Sequence, residues 1–308
     1  MEVVNSKNEL TLLVGGYMND AKTIGFVPTM GALHEGHLSL VSAAKKNCDI
    51  VVVSIFVNPT QFNDPEDLKR YPRTPEQDFK LLEEWGCDVV FHPSVGEIYP
   101  QKDMREFDFG YIGTIMEGAK RPGHFNGVAM IVSKLFDIVR PNKAFFGMKD
   151  FQQIVIVKKL VELFKYKVEI VECPIVREKS GLALSSRNKF LSEEQKENAS
   201  HIYKTLKKAA DNVAVSKANS DVNKLKKWIA DEINRNPFLE TEYVEIVDTE
   251  TLQIITDLKA RVQKRVCVAV YVGSDRQGLF KTAEEEKKIR LIDNILINNT
   301  HIDNTLTE

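Results

Sequence analysis

Residues 49–58 read DIVVVSIFVN, an almost unbroken run of apolar and β-branched side chains. A strand with one wet face alternates polar and apolar residues, and this run does not, so both of its faces must be covered. Such a strand belongs to a parallel sheet flanked by helices, and the neighbouring sequence agrees. TIGFVPT (23–29), CDVVFHP (87–93), KAFFG (143–147) and KVEIVECP (167–174) have strand character. Between them lie helical stretches at GHLSLVSAAKKN (36–47), TPEQDFKLLEEWG (74–86), GVAMIVSKLFDIV (127–139) and DFQQIVIVKKLVELF (150–164). Leu38, Val41 and Ala44 share one helix face, while Thr74 is the expected cap and Gly86 the expected stop of the second helix. Strands alternating with helices of about 10–15 residues give an α/β fold, a Rossmann-like doubly wound parallel sheet.

The character changes after residue 177. LSEEQKENASHIYKTLKKAADN (191–212) opens on a capping box, Ser192 with Gln195, and DVNKLKKWIADEINRN (221–236) is a second charged helix. EYVEIVD (242–248), LQIIT (252–256) and RVCVAVYVG (265–273) then suggest a small antiparallel sheet. The expectation is a Rossmann-like domain over residues 1–176 and a smaller C-terminal α+β domain over 177–308. The closing NNTHIDNTLTE (298–308) is polar and is expected to fray.

Charge and composition remove several function classes. A formal net charge of -2 provides no overall basic field for nucleic acid. No apolar run nears the roughly 20 residues a membrane helix needs, and MEVVNSKNEL lacks the pattern of a secretory leader. Cys48, Cys87, Cys173 and Cys267 are scattered without a CxxC pair, which suits buried thiols in a reducing cytoplasm. Without a leader, the glycosylation patterns NAS (198–200) and NNT (298–300) read as accidental.

The chemistry concentrates in GALHEGHLSL (31–40), where the first strong strand gives way to a helix. Ligands of an open parallel sheet bind beyond the carboxyl ends of its strands. Gly31 and Gly36 permit close approach, and the helix start is expected to offer free N–H groups to an anion. His34 and His37, three apart, lie on one side of the turn. Together they suit phosphate oxygens. Two other readings stay open from these residues alone: a zinc site and an ordinary turn. The zinc protease pattern HExxH needs histidines four apart, one more than here.

A histidine–x–glycine–histidine turn after the first strand resembles the nucleotidylyltransferase superfamily, which pairs it with a flexible Lys-Met-Ser-Lys-Ser-type motif. GLALSSRN (181–188) fits that second role. More closely, VPTMGALHEGH, VSIFVNPTQF, YPRT, RPGHFNGV, IVRPNKAFFGMKDFQQ, VREKSGLALSSRN and RLIDN, in this order from residue 27 to 294, resemble the pantothenate synthetase family. The resemblance implies ATP-dependent joining of pantoate to β-alanine through a pantoyl adenylate, releasing AMP and pyrophosphate.

The resemblance implies site roles residue by residue. Met30, Gly31, Ala32, Leu33, His34, Glu35, Gly36 and His37 would line the ATP phosphates, with His34 and His37 stabilising charge at the α-phosphate and His37 the family's assigned proton donor. Gln61 and Gln153 would hydrogen-bond pantoate. Gly147, Met148, Lys149 and Asp150 would bind the nucleotide, Lys149 at the phosphates and Asp150 at a ribose hydroxyl. Val176 would meet adenine through its backbone. Leu184, Ser185, Ser186 and Arg187 would close on the triphosphate from the second domain, a lid, with the site between the domains. Arg121, His124 and Asn58 belong to the site or its rim. Mg²⁺ would accompany ATP with no direct protein ligand assigned, Asp78 included, although the family tends to be acidic there. The family is usually dimeric.

Departures from the family pattern are Met148 where glutamate is common, Leu184 where methionine is common, and Ser180 where aspartate is usual. The 273–294 segment is longer than the family's link. Two rival functions are a nucleotidyltransferase that stops at an adenylated product and a nucleotide-binding regulatory module without turnover. Gln61 and Gln153 argue against the first rival, and turnover decides the second.

Overall fold

The computed structural model describes residues 1–215, 221–274 and 288–297. The chain divides into two compact units, Met1–Val176 and Arg177–Glu308.

The first unit runs β1 (Glu2–Val4), α1 (Lys7–Asn19), β2 (Ile24–Thr29), α2 (Glu35–Asn47), β3 (Ile50–Ile55), α3 (Pro65–Arg70), α4 (Pro75–Glu84), β4 (Val89–Phe91), α5 (Val95–Ile98), α6 (Met116–Lys120), α7 (His124–Val139), β5 (Lys143–Gly147), α8 (Phe151–Phe164) and β6 (Glu169–Cys173). Its strands form one six-stranded sheet in the order β1-β4-β3-β2-β5-β6, with every pairing parallel. Side-chain alternation sorts the two faces. Phe26 of β2 and Val52 of β3 join a cluster with Leu10, Val14, Val128, Leu135 and Ile154 of α1, α7 and α8. Val27, Val51 and Val53 join Leu38, Val41 and Ala44 of α2 and Leu82 of α4 on the other face. Each such aliphatic side chain contributes about 1.5–3 kcal/mol by leaving water. The doubly wound parallel sheet is thus as the apolar run of 49–58 requires.

The order reverses at β2. From β2 the chain first builds outward through β3 and β4, then returns to place β5 on the other side. The β2–β3 ladder runs to Thr29 opposite Ile55, but the β2–β5 ladder stops at Phe26 opposite Ala144. The carboxyl ends of β2 and β5 therefore separate, and a crevice of the kind that receives ligands opens at the switch point.

The second unit holds α9 (Glu193–Val215), α10 (Val222–Asn234), β7 (Leu239–Asp248), β8 (Lys264–Val272) and β9 (Ile289–Ile297). Its strands form an antiparallel sheet, β7-β8-β9. The capping box forms with both bonds, Ser192 N–H to Gln195 Oε1 at 2.9 Å and Gln195 N–H to Ser192 Oγ at 3.1 Å.

Several expectations are corrected. LQIIT is no strand: Leu252 turns back at φ +56 and only an isolated bridge joins Ile254 to Val247. The third strand is instead β9, which contains RLIDN. Helix α7 starts at His124 rather than 127, because Gly123 at φ +82 caps it. Thr74 precedes α4 but makes no side-chain cap bond to an amide; its hydroxyl turns to Asp78. Gly86 does end that helix, in the left-handed region at φ +74. β1 and α1 were not expected. Most of the long 273–294 segment, residues 275–287, and the polar end 298–308 lie outside the described residues.

The cysteines are all free; Cys87, Cys173 and Cys267 are buried and Cys48 is partly exposed. Burial pushes the Cys87 thiol up to about 12, so it is unreactive near neutrality.

Candidate active site

The histidine turn leaves β2 through two successive residues with positive φ, Gly31 at +79 and Ala32 at +51. Glycine takes the first without strain and alanine does not. Gly31 is also tightly packed: a Cβ there would lie 3.0 Å from Asp78 Oδ2 and 3.0 Å from Ile55 Cγ2. His34 then caps α2, its Nδ1 accepting the Gly36 amide at 3.1 Å. Because Nδ1 accepts, the hydrogen of the neutral ring sits on Nε2. The His34 and His37 rings lie 4.1 Å apart between centroids, tilted by 37°.

The expectation that the helix start offers free amides to an anion is corrected. Gly31 N–H goes to Thr29 Oγ1 at 3.1 Å, and Ala32 and Leu33 N–H go to Asp78 at 2.8 and 2.9 Å. The amides of His37 and Leu38 go to the His34 carbonyl. These donors are satisfied within the protein.

The loop after β3 places Gln61 in a single 3₁₀ turn, Pro59–Gln61. Asn58, 1% exposed, fixes which way its amide faces. Asn58 Nδ2 donates to the Gly127 carbonyl, which can only accept, and to Gln61 Oε1, both at 3.0 Å. Asn58 Oδ1 receives the Tyr99 hydroxyl at 2.9 Å and Thr60 Oγ1 at 3.0 Å. With its oxygen held by Asn58, Gln61 turns its NH₂ to Met30 Sδ, 3.2 Å away. Met30 and Gln61, from different loops, thus meet.

The RPGHF block acts on the same turn. His124 Nδ1 donates to the Gln61 carbonyl at 2.9 Å, while Nε2 accepts from Arg121 at 3.2 Å. Arg121 also reaches Gln61 O at 3.4 Å and stands 3.8 Å from Glu117. Burial, helped by the Arg121 charge, lowers His124 to about 4. The folded chain therefore holds the ring neutral, whereas the unfolded chain protonates it near 6.5. Stability from this group is complete above the unfolded value and is lost as pH falls towards about 4. Urea denaturation at pH 7 and pH 4.5 is expected to show a loss of about 2–3 kcal/mol from this residue, flattened in His124→Gln.

Beyond β5, Gly147 has ordinary backbone angles and a Cβ there would meet open space. Met148–Asp150 form a 3₁₀ turn, with Lys149 Nζ 3.2 Å from Asp150 Oδ1. Of the two glutamines that follow, Gln152 is structural: it accepts Glu117 N–H at 3.0 Å and donates to the carbonyls of Ile112 and Ile115 at 2.9 Å. Gln153 is half-buried in the first turn of α8.

Met30 to His37, Gln61, Gly147 to Asp150 and Gln153 therefore share the carboxyl edge of one sheet. Val176 is the last residue of that unit, three beyond β6. Leu184, Ser185, Ser186 and Arg187 belong to the second unit. There Ser185 caps the turn Ser186–Phe190, accepting the Arg187 amide at 3.3 Å. Arg177 pins the preceding loop, paired with Asp293 of β9 at 2.7 and 2.8 Å and lying 3.8 Å over the Tyr203 ring. Tyr99 and Gly127 were not singled out for the site from the sequence, and Asp78 was weighed there only as an ion ligand and not assigned.

Comparison with known proteins agrees with this geometry. A family model described as Pantoate-beta-alanine ligase matches residues 2–296. A pantothenate synthetase of Porphyromonas gingivalis is 47% identical over 96% of this chain and 99% of its own. One from Fervidobacterium nodosum is 47% identical over 97% of this chain and 100% of its own. Pantothenate synthetase of Thermus thermophilus superposes with a TM-score of 0.84 at 38% identity, covering 96% of this chain and 99% of that structure. A pantoate-beta-alanine ligase of Francisella tularensis, solved with beta-gamma ATP and beta-alanine, gives 0.75 at 36% identity over 96% and 97%. The parallel sheet, the histidine turn at its switch point and these full-length matches place the chain in the pantoate–β-alanine ligase family, which joins pantoate to β-alanine with ATP.

Proposed function

We propose that the residues gathered at the carboxyl edge of the sheet perform this ligation, with the first unit binding ATP and pantoate and the second acting as the lid. The observation that carries the reading is the pair of imidazoles, 4.1 Å apart, at the end of β2 where the β2–β5 ladder opens. A carboxylate acylates an amine poorly until it becomes a mixed anhydride. The pantoate carboxylate attacks the α-phosphorus, an O–P bond forms, and the bond to the pyrophosphate oxygen breaks. His34 and His37 donate to the oxygens on which charge develops. The amine of β-alanine then attacks the acyl carbon and AMP leaves.

Gln61 holds pantoate through its NH₂, and Gln153 assists. Gly147 leaves room for the nucleotide, since its missing Cβ faces open space. Met148, Lys149 and Asp150 bind it, Lys149 as a compact charge at the phosphates. Val176 meets adenine, and Leu184, Ser185, Ser186 and Arg187 engage the triphosphate. Mg²⁺ enters with the ATP oxygens. Among the described residues no three His, Cys, Asp or Glu stand together as a metal site, and Asp78 has both oxygens engaged by amides. No protein ligand is assigned to the ion, which would neutralise charge on the leaving pyrophosphate. We also assign the chain to the cytoplasm, in keeping with its free thiols, and to a homodimer.

ATP, pantoate and β-alanine together are expected to yield AMP and pyrophosphate, with AMP release requiring β-alanine. AMP formation indifferent to pantoate would sink this reading. Gln61→Glu replaces that NH₂ by a carboxylate oxygen facing an anion. Its pantoate KM is expected to rise at least about tenfold, with the ATP KM changed less than about twofold.

A further inference from the structure

We infer that Asp78 is a positioning residue for adenylation, a strut that holds the histidine turn in the shape that presents His34 and His37. The inference rests on the reading that these two rings serve adenylation. Asp78 is 1% exposed and lies in the first turn of α4, far from the turn in sequence. Its Oδ2 accepts Ala32 N–H at 2.8 Å, and its Oδ1 accepts Leu33 N–H at 2.9 Å and the Thr74 hydroxyl at 3.2 Å.

The two amides belong to the stretch that most needs holding. Ala32 sits at φ +51 directly after Gly31 at φ +79. The left-handed region is unfavourable for a non-glycine residue. Such strain persists only where the surroundings over-determine it. Two hydrogen bonds to the buried Asp78 side chain oppose that cost. The contact is also steric, because a Cβ on Gly31 would meet Asp78 Oδ2 at 3.0 Å.

Charge points the same way. A buried carboxylate beneath a turn that receives a polyphosphate opposes its ligand, so attraction to substrate does not explain it. Shape does. Leu33 adjoins His34, whose Nδ1 accepts Gly36 N–H and whose carbonyl accepts His37 N–H. The position set by Asp78 therefore passes to both rings within a few residues. With both oxygens engaged, Asp78 is poorly placed to hold an ion as well.

The two half-reactions separate this role from a general structural one. Adenylation is read as pantoate-dependent pyrophosphate release in a single turnover without β-alanine. Aminolysis is read by supplying pantoyl adenylate and β-alanine. Asp78→Asn cannot accept both amides, and its adenylation is expected to slow about 100-fold, with aminolysis changed less than about threefold. Adding Ala32→Gly, which removes the strain, is expected to restore adenylation at least about fivefold. Equal losses in both half-reactions, or no recovery with glycine, would overturn the inference. Should Asp78→Asn not fold, Thr74→Val removes one bond to the strut. It is expected to show the same one-sided loss, at about 3–10-fold, and a loss shared by both half-reactions, or none, counts against the strut. His37→Ala in the same assays separates the two layers. If it adenylates normally, the reading of the histidines fails. If it is slow while Asp78→Asn is unimpaired, only the strut fails.

Discussion

His37→Ala is expected to slow adenylate formation by about 100- to 1,000-fold while changing the pantoate Kd less than about threefold. The amides of Gly31, Ala32, Leu33, Gly36 and His37 are already bonded within the turn or to Asp78 and Thr29. On the proposed reading the imidazoles, rather than these amides, meet charge at the α-phosphate, and that charge is largest in the transition state. A contact of this kind lowers kcat when removed, with little cost to ground-state binding. On the proposed reading pantoate is held elsewhere, by the NH₂ of Gln61, and its affinity is expected to be insulated from position 37. Single-turnover pyrophosphate release and equilibrium pantoate binding measure the two quantities. Equal loss in both would assign His37 to binding.

Gly127→Ala is expected to destabilise the chain by about 2 kcal/mol or more and to raise the pantoate KM of whatever folds. In a bare helix the same change stabilises by about 1 kcal/mol, because alanine is the better helix former. Here the added Cβ would lie 2.3 Å from the Thr60 carbonyl oxygen and 2.6 Å from Gln61 N. Both are backbone atoms of a turn held by Asn58 and His124, so neither can swing aside. The clash therefore outweighs the propensity, and its relief displaces Gln61. Gly16→Ala in α1 is the contrast: nothing lies within 4 Å of the new Cβ, so only the propensity gain remains. Urea midpoints of the two variants are expected to move in opposite directions.

The sequence was most informative where the physics is local. The covered strand within 49–58, which runs Ile50–Ile55, the alternation around it and the Ser192–Gln195 box depend on side chains a few positions apart, and all three are present. It was least informative where a short segment takes its structure from a distant partner. β1 is three residues long and exists because β4 pairs with it. LQIIT has strand composition, but Leu252 turns back at φ +56 and only Ile254 bridges Val247 of β7, while the third place in the sheet goes to β9.

The site divides the same way. His34, His37, Gln61 and Lys149 are residue types whose chemistry is visible in the chain, within motifs of fixed spacing. The sequence by itself determined that two imidazoles follow a buried strand and that a parallel sheet carries them. Only the tertiary structure decided that the turn's amides are consumed by Asp78 and Thr29, that Asn58 and Tyr99 set the direction of the Gln61 amide, and that Gly127 makes room for it. Spacing specifies contacts one turn apart. A hydrogen bond between residues 32 and 78, or 61 and 124, exists only once the sheet has brought their loops to one edge.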